Sequence, residues 1–162
     1  MKILIAPQAF KGSISAVEAA MAMREGVRRV VPSADIAVVP VADGGDGTLE
    51  TLVDGSGGDM RTSSVTGPLG EEVVAQWGAM GDGSTAVIEM AQTSGLALVP
   101  IDRRDPRITT TYGLGEAIIQ ALDSGFRRFI IGIGGSATND AGAGMAQALG
   151  IRLLNKDNGD LA

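Results

Sequence analysis

The chain has 162 residues, 44% hydrophobic and 20% charged, which suits one folded domain, or one with part of another, and excludes a disordered polymer. Its formal charge of −6 argues against nucleic acid and anionic membrane as partners. Cysteine and histidine are both absent, so disulfides, thiolate or imidazole catalysis and Cys/His metal centres are excluded.

The first residues, MKILIAPQAF, form too short an apolar run for a signal peptide, and no segment approaches a membrane span, so a cytoplasmic location is expected. Within that run, residues 2–6 (KILIA) read as a buried strand. A helix follows from Ser15, with Glu18 at capping-box spacing and an apolar stripe through Ala16, Ala20, Met23, Val27 and Val30. Pro32 closes it. Residues 35–41 read as a second strand, and Asp46 is positioned to cap a short helix running through Val53 to Gly55. This βαβα opening is the signature of a parallel sheet with crossover helices.

The texture changes near residue 60. Strand-like stretches at about 61–66, 72–79 and 84–90 are separated by turn signals at Gly67-Pro68 and Gly81-Asp82-Gly83, which suggests a mixed or antiparallel sheet. Residues 113–124 return to helix, 128–133 form a strongly apolar strand and 139–149 a small-residue helix. Another short strand is expected at 151–154. The fold class is α/β: a Rossmann-like parallel-sheet domain, here residues 1–60, and part of a second α/β domain with a mixed or antiparallel sheet, residues 61–162.

Without histidine or cysteine, chemistry falls to carboxylates, three lysines, ten arginines, hydroxyls and main-chain amides. Phosphoryl transfer can run on that inventory, since it rests on positioning, electrostatics and oxygen-bound magnesium. Three loops concentrate the candidates. The first, 132–140 (GIGGSATND), lies between a strand and a helix, where glycine-freed amides can cradle an anion. Gly134, Gly135, Ser136, Thr138, Asn139 and Asp140 are its candidate phosphate contacts, with Asp140 also a magnesium ligand; the plain alternative is a tight turn capped by Asn139 or Asp140.

The second loop, 43–48 (DGGDGT), follows the second strand at the edge where open parallel sheets bind ligands. There Asp43 and Asp46, with Gly44 and Gly45 between them, can approach a hydroxyl or a metal; the plain alternative is a turn and an N-cap. The third is the loop after the first strand, where Lys11 and Ser13 can meet a phosphate or carboxylate, although a lone loop lysine is ordinarily solvated. Glu89 and the threonines 109–111 are weaker candidates, Glu89 being as readily an arginine partner. Arg28-Arg29, Arg103-Arg104 and Arg127-Arg128 read as solvated surface.

Read together, IAP-x-x-FKGS (5–13), PVADGGDGT (40–48), VTGPLGE (65–71), TAVIEMA (85–91), TTTYGLGE (109–116) and IIGIGGSATNDAGAGMAQALG (130–150) resemble, in order and spacing, the bacterial glycerate kinases of the first type. The resemblance implies transfer of the γ-phosphoryl group of ATP to D-glycerate with magnesium, giving 2-phosphoglycerate or, less often, 3-phosphoglycerate. It implies two α/β domains around a cleft, the first discontinuous in sequence, and a longer protein of which this chain is the N-terminal portion. The expected catalytic residues are Asp43 and Asp46, holding the acceptor hydroxyl or magnesium, and Lys11, neutralising a substrate carboxylate or the transferring phosphate; a homodimer stays open.

The chain departs from that pattern at three places. Gln8-Ala9 stand where the family usually has Asp-Ser, Asp46 replaces a glutamate, and Ala141 a glycine. Two other readings stay open. One is a nicotinamide-dependent oxidoreductase, from the G-x-G-x-x-A spacing of Gly132, Gly134 and Ala137 with Asp157 beyond. The other is a non-catalytic ligand-binding module, kept alive by Gln8-Ala9.

Overall fold

The computed structural model describes residues 1–10 and 13–161. The chain enters through β1 (Lys2–Ile5), crosses in α1 (Ala16–Val30) and returns in β2 (Asp35–Val38), parallel to β1 from Lys2 opposite Asp35 to Ile5 opposite Val38. Ser15 caps α1 as expected: its hydroxyl accepts the Glu18 amide at 3.1 Å, and the Glu18 carboxylate accepts the Ser15 amide at 3.0 Å. The apolar stripe is only half used. Ala16 and Ala20 are buried, whereas Met23 is 43% and Val30 81% exposed. A helix of 15 residues runs about 22 Å, and strands of four about 13 Å, so the C-terminal half of α1 projects past the sheet.

The second strand ends at Val38 rather than Val41, because Pro40 has no amide to donate. Even so, Val39 and Val41 still donate to the carbonyls of Ile5 and Pro7, so the chain leaves β2 extended. Helix α2 (Thr48–Ser56) follows. Asp46 does not cap it. Its N-cap is Gly47, in the left-handed region, and the helix ends on left-handed Gly57 instead of Gly55.

A mixed four-stranded sheet comes next, in the order β3 (Asp59–Thr66), β4 (Glu72–Ala79), β5 (Thr85–Glu89), β6 (Arg128–Gly132). Its first two pairings are antiparallel and the β5–β6 pairing is parallel. Both turn signals fall between strands where the sequence put them. Strand β5 is buried at every position and separates two cores. Ala86 and Ile88 face α4 (Tyr112–Asp123), joining Trp77, Leu114, Ala117, Ile118, Ala121 and Phe126. Val87 faces the other way, onto Leu49 and Val53 of α2. Trp77 and Phe126 meet edge to face, with centroids 5.8 Å apart, and the Trp77 indole donates to Ser63 Oγ at 2.8 Å. A short helix, α3 (Met90–Ser94), begins the crossover from β5 to β6.

Helix α5 (Ala143–Ala148) is shorter than expected and starts after left-handed Gly142, so neither Asn139 nor Asp140 is its N-cap. The strand expected at 151–154 does not form beyond one bridge between Leu154 and Asp160. Local turn chemistry prevails there: Asn155 Oδ1 accepts the Asp157 and Gly159 amides, and Arg152 pairs with Asp160 at 3.0 Å. Helix α2 packs on the second sheet, against β3, β4 and β5. Among the described residues no helix is long and apolar enough to cross a membrane.

Candidate active site

A cavity of about 550 Å³ opens beyond the C-terminal ends of β1, β2 and β6. Its walls come from the segment after β1 (Gln8, Phe10, Ser13), the loop after β2 (Asp43, Gly45, Asp46), Glu50 of α2, and Gly134 and Gly135 after β6. Three segments far apart in sequence therefore converge, two from the ligand edge of the β1–β2 sheet and one from the end of β6 in the other sheet.

What holds them together is a backbone-to-backbone contact. The Gly134 amide donates to the Gly44 carbonyl at 2.8 Å, and the Gly44 amide donates to Thr48 Oγ1 at 3.0 Å. A Cβ on Gly132 would lie 2.7 Å from the Gly44 oxygen, and one on Gly134 would lie 2.5 Å from Gly45 Cα. The glycines here serve close approach of two loops. Asp43 Oδ1 accepts the Gly45 amide at 3.1 Å, which fixes the turn between the two aspartates.

Part of the expected anion cradle is committed within the protein. Of the 132–140 amides, Gly134 bonds Gly44, Ala137 bonds the Ser94 carbonyl at 2.9 Å, and Thr138 bonds Ser136 Oγ at 3.0 Å. Gly134 and Gly135 reach the main cavity. Ser136 and Thr138 line a second, smaller one on the other side of the loop, and Asn139 is exposed outside both. Gly44 lies behind the wall it helps to build. Lys11 falls outside the described residues.

Asp140 is engaged by donors from two segments of its own chain. Its Oδ2 accepts the Thr111 hydroxyl at 2.7 Å, the Thr111 amide at 2.9 Å and the Gly144 amide at 3.1 Å; its Oδ1 accepts the Gly142 amide at 3.1 Å. Burial opposes its ionisation, but these donors outweigh burial and hold the carboxyl below its ordinary range. Three of the four donors fall on Oδ2 and one on Oδ1. Asp140 joins the start of α4 to the start of α5.

Glu89, at the end of β5, takes the part expected of Asp46. It is 1% exposed and accepts the Leu49 amide at 2.6 Å, capping the N-terminus of α2 from a different strand. Burial pushes its carboxyl up, against the Leu49, Gln92 and Thr48 bonds and with help from the charge of Asp46. No arginine pairs with it. The signal in sequence was a lone acid ending an apolar strand, but its partner lies 40 residues away.

The charged residues in the described lining of the main cavity are Asp43, Asp46 and Glu50. No cluster of three or more ligating side chains able to hold a metal occurs among the described residues. Magnesium does not need one, since one or two carboxylates with substrate phosphates ordinarily suffice. Asp43 and Asp46 fit that requirement.

The glycerate kinase family model matches residues 3–162. The chain is 60% identical over 161 residues to a glycerate kinase of Bacillus subtilis and 55% identical over 161 residues to a glycerate 2-kinase of Escherichia coli. Each match covers 99% of this chain and 42% of the relative, so the chain spans about two fifths of their length. A solved structure from Salmonella typhimurium LT2 that carries the name glycerate kinase 2 superposes with a TM-score of 0.85 at 52% identity, covering all of this chain and 44% of that one. The chain belongs to the glycerate kinase family.

Proposed function

We propose that the protein transfers the γ-phosphoryl group of ATP to D-glycerate, giving ADP and 2-phosphoglycerate. The observation that supports this reading best is the docking of the 43–48 loop against Gly134 and Gly135, with Asp43 and Asp46 on one wall of the cavity of about 550 Å³. Phosphoryl transfer needs an acceptor oxygen relieved of its proton and negative charge neutralised around the transferring group. Asp43 and Asp46 face a bound hydroxyl and receive its proton or orient it. Where magnesium is bound, the same two carboxylates hold it and it neutralises phosphate charge.

The charged side chains of the described lining are all carboxylates, so an anionic acid calls for a cation there, and Lys11, two residues before Ser13 in sequence, is the candidate. Gln8 cannot act as a base, because its amide does not titrate. Proton abstraction is therefore assigned to the aspartates.

The nicotinamide alternative loses its footing. It rested on the spacing of Gly132, Gly134 and Ala137, and loop docking accounts for both glycines.

A coupled ADP-release assay on the full-length protein with D-glycerate tests the proposal. Asp43→Asn should lower kcat by about a hundredfold or more while circular dichroism stays unchanged. Full activity in that variant rejects the role given to Asp43. Phosphorus NMR of the product distinguishes 2- from 3-phosphoglycerate, and nucleotide binding without turnover would favour the non-catalytic module.

A further inference from the structure

The second cavity, about 230 Å³, lies across the 132–140 loop from the first. It is lined by Leu96, Val99, Arg104, Asp105, Thr109, Ser136 and Thr138 among others, and is smaller than the pockets that enclose drug-sized ligands. We propose that it binds a phosphate group, as a subsite for an oxyanion, with Arg104 as the charged contact and the Ser136–Thr138 pair as a hydroxyl donor.

Three observations carry this. First, the Arg104 guanidinium is held in place: Nε donates to the Val99 carbonyl and Nη2 to the Leu96 carbonyl, both at 3.2 Å. Nη1 has no hydrogen-bond partner among the described residues, so a fixed cationic donor is left at the cavity. Guanidinium groups match phosphate oxygens in geometry as well as charge.

Second, Ser136 Oγ and Thr138 Oγ1 lie 2.8 Å apart, and Ser136 Oγ also accepts the Thr138 amide. Whichever hydroxyl donates within the pair, one of the two protons stays uncommitted and can be given to a ligand.

Third, the carboxylate that shares the cavity does not cancel the arginine. Asp105 is taken by Arg107, which donates to it through Nε and Nη2, the latter at 2.7 Å. With Arg107 counted beside Asp105 and Arg104, the charge around this cavity is net positive. In sequence, Arg103-Arg104 reads only as a surface pair, because nothing local shows that 104 folds back onto the carbonyls of 96 and 99.

The phosphate can be free inorganic phosphate or the tail of a nucleotide; only the second source rests on the phosphoryl-transfer reading. Calorimetric titration of the full-length protein with inorganic phosphate, ADP and adenosine separates the sources. Arg104→Ala should weaken phosphate and ADP about tenfold or more, and Thr138→Val, which leaves the arginine anchors intact, several-fold, with adenosine unchanged. Phosphate displaced by ADP identifies the nucleotide tail, and phosphate bound beside ADP identifies an independent subsite; both support the inference. Phosphate that fails to bind at millimolar concentration overturns it. So does phosphate and ADP binding that is the same in both variants as in the parent protein, once melting curves show them folded. Binding needs no turnover, so phosphate held through Arg104 in a protein inactive on glycerate would sink the kinase reading and leave this one standing.

Discussion

Ala141 has φ 54, in the left-handed region that favours glycine, and stands where the resembling family usually has glycine. A Cβ in that conformation costs about 1–2 kcal/mol, and glycine returns part of the gain by loosening the unfolded chain. Ala141→Gly should therefore stabilise the protein by about 0.5–1 kcal/mol net, read as a higher urea midpoint with unchanged slope. A lower midpoint would show that the loop is not strained at this residue. The sequence marked the position but not the strain, since a departure from a pattern carries no dihedral angle. Asp140 teaches the same lesson: nothing local in its glycine-rich loop shows that Thr111, 29 residues earlier, donates to it.

Among the elements, those set by local rules were legible. The capping box of α1, the closely spaced strands β3 to β5 with their glycine turns, and the apolar run of β6 all rest on neighbours in sequence. The start of α2 was not, because its cap comes from Glu89 on β5. That arrangement makes two predictions. Glu89→Ala should cost about 2–4 kcal/mol, from an orphaned Leu49 amide and lost packing, measured by denaturant unfolding.

Its pH dependence has a definite sign. The folded carboxyl lies above its ordinary value of 4.5, chiefly through burial, so between that value and the raised one the native state binds more protons than the unfolded chain. This contribution to stability is complete below 4.5 and is lost as pH rises through the folded value. In Glu89→Gln that fall should disappear. An unchanged pH profile would mean that Glu89 titrates normally.

At the scale of the whole molecule, the site depends on a contact between two sheets that the sequence could not specify. The glycines of 132–135 and 44–45 announced close approach of backbone to something, and a phosphate was the natural guess; the structure supplies another stretch of the same chain. Gly134→Ala tests this directly, since its Cβ would meet Gly45 Cα at 2.5 Å, Gly45 N at 2.8 Å and Gly44 O at 3.0 Å. Those neighbours are backbone atoms of a turn already fixed by Asp43, so they cannot give way as a flexible side chain would. The variant should lose about 1–3 kcal/mol of stability and tenfold or more of activity as the aspartates shift from the opposite wall. Gly55 is the control: it lies within α2 with open space around its Cα, so Gly55→Ala should be neutral or stabilising by up to about 1 kcal/mol. If both substitutions were equally harmless in denaturant melts and in turnover, the two loops would not be docked as described, and the wall that carries Asp43 and Asp46 would have to be built another way.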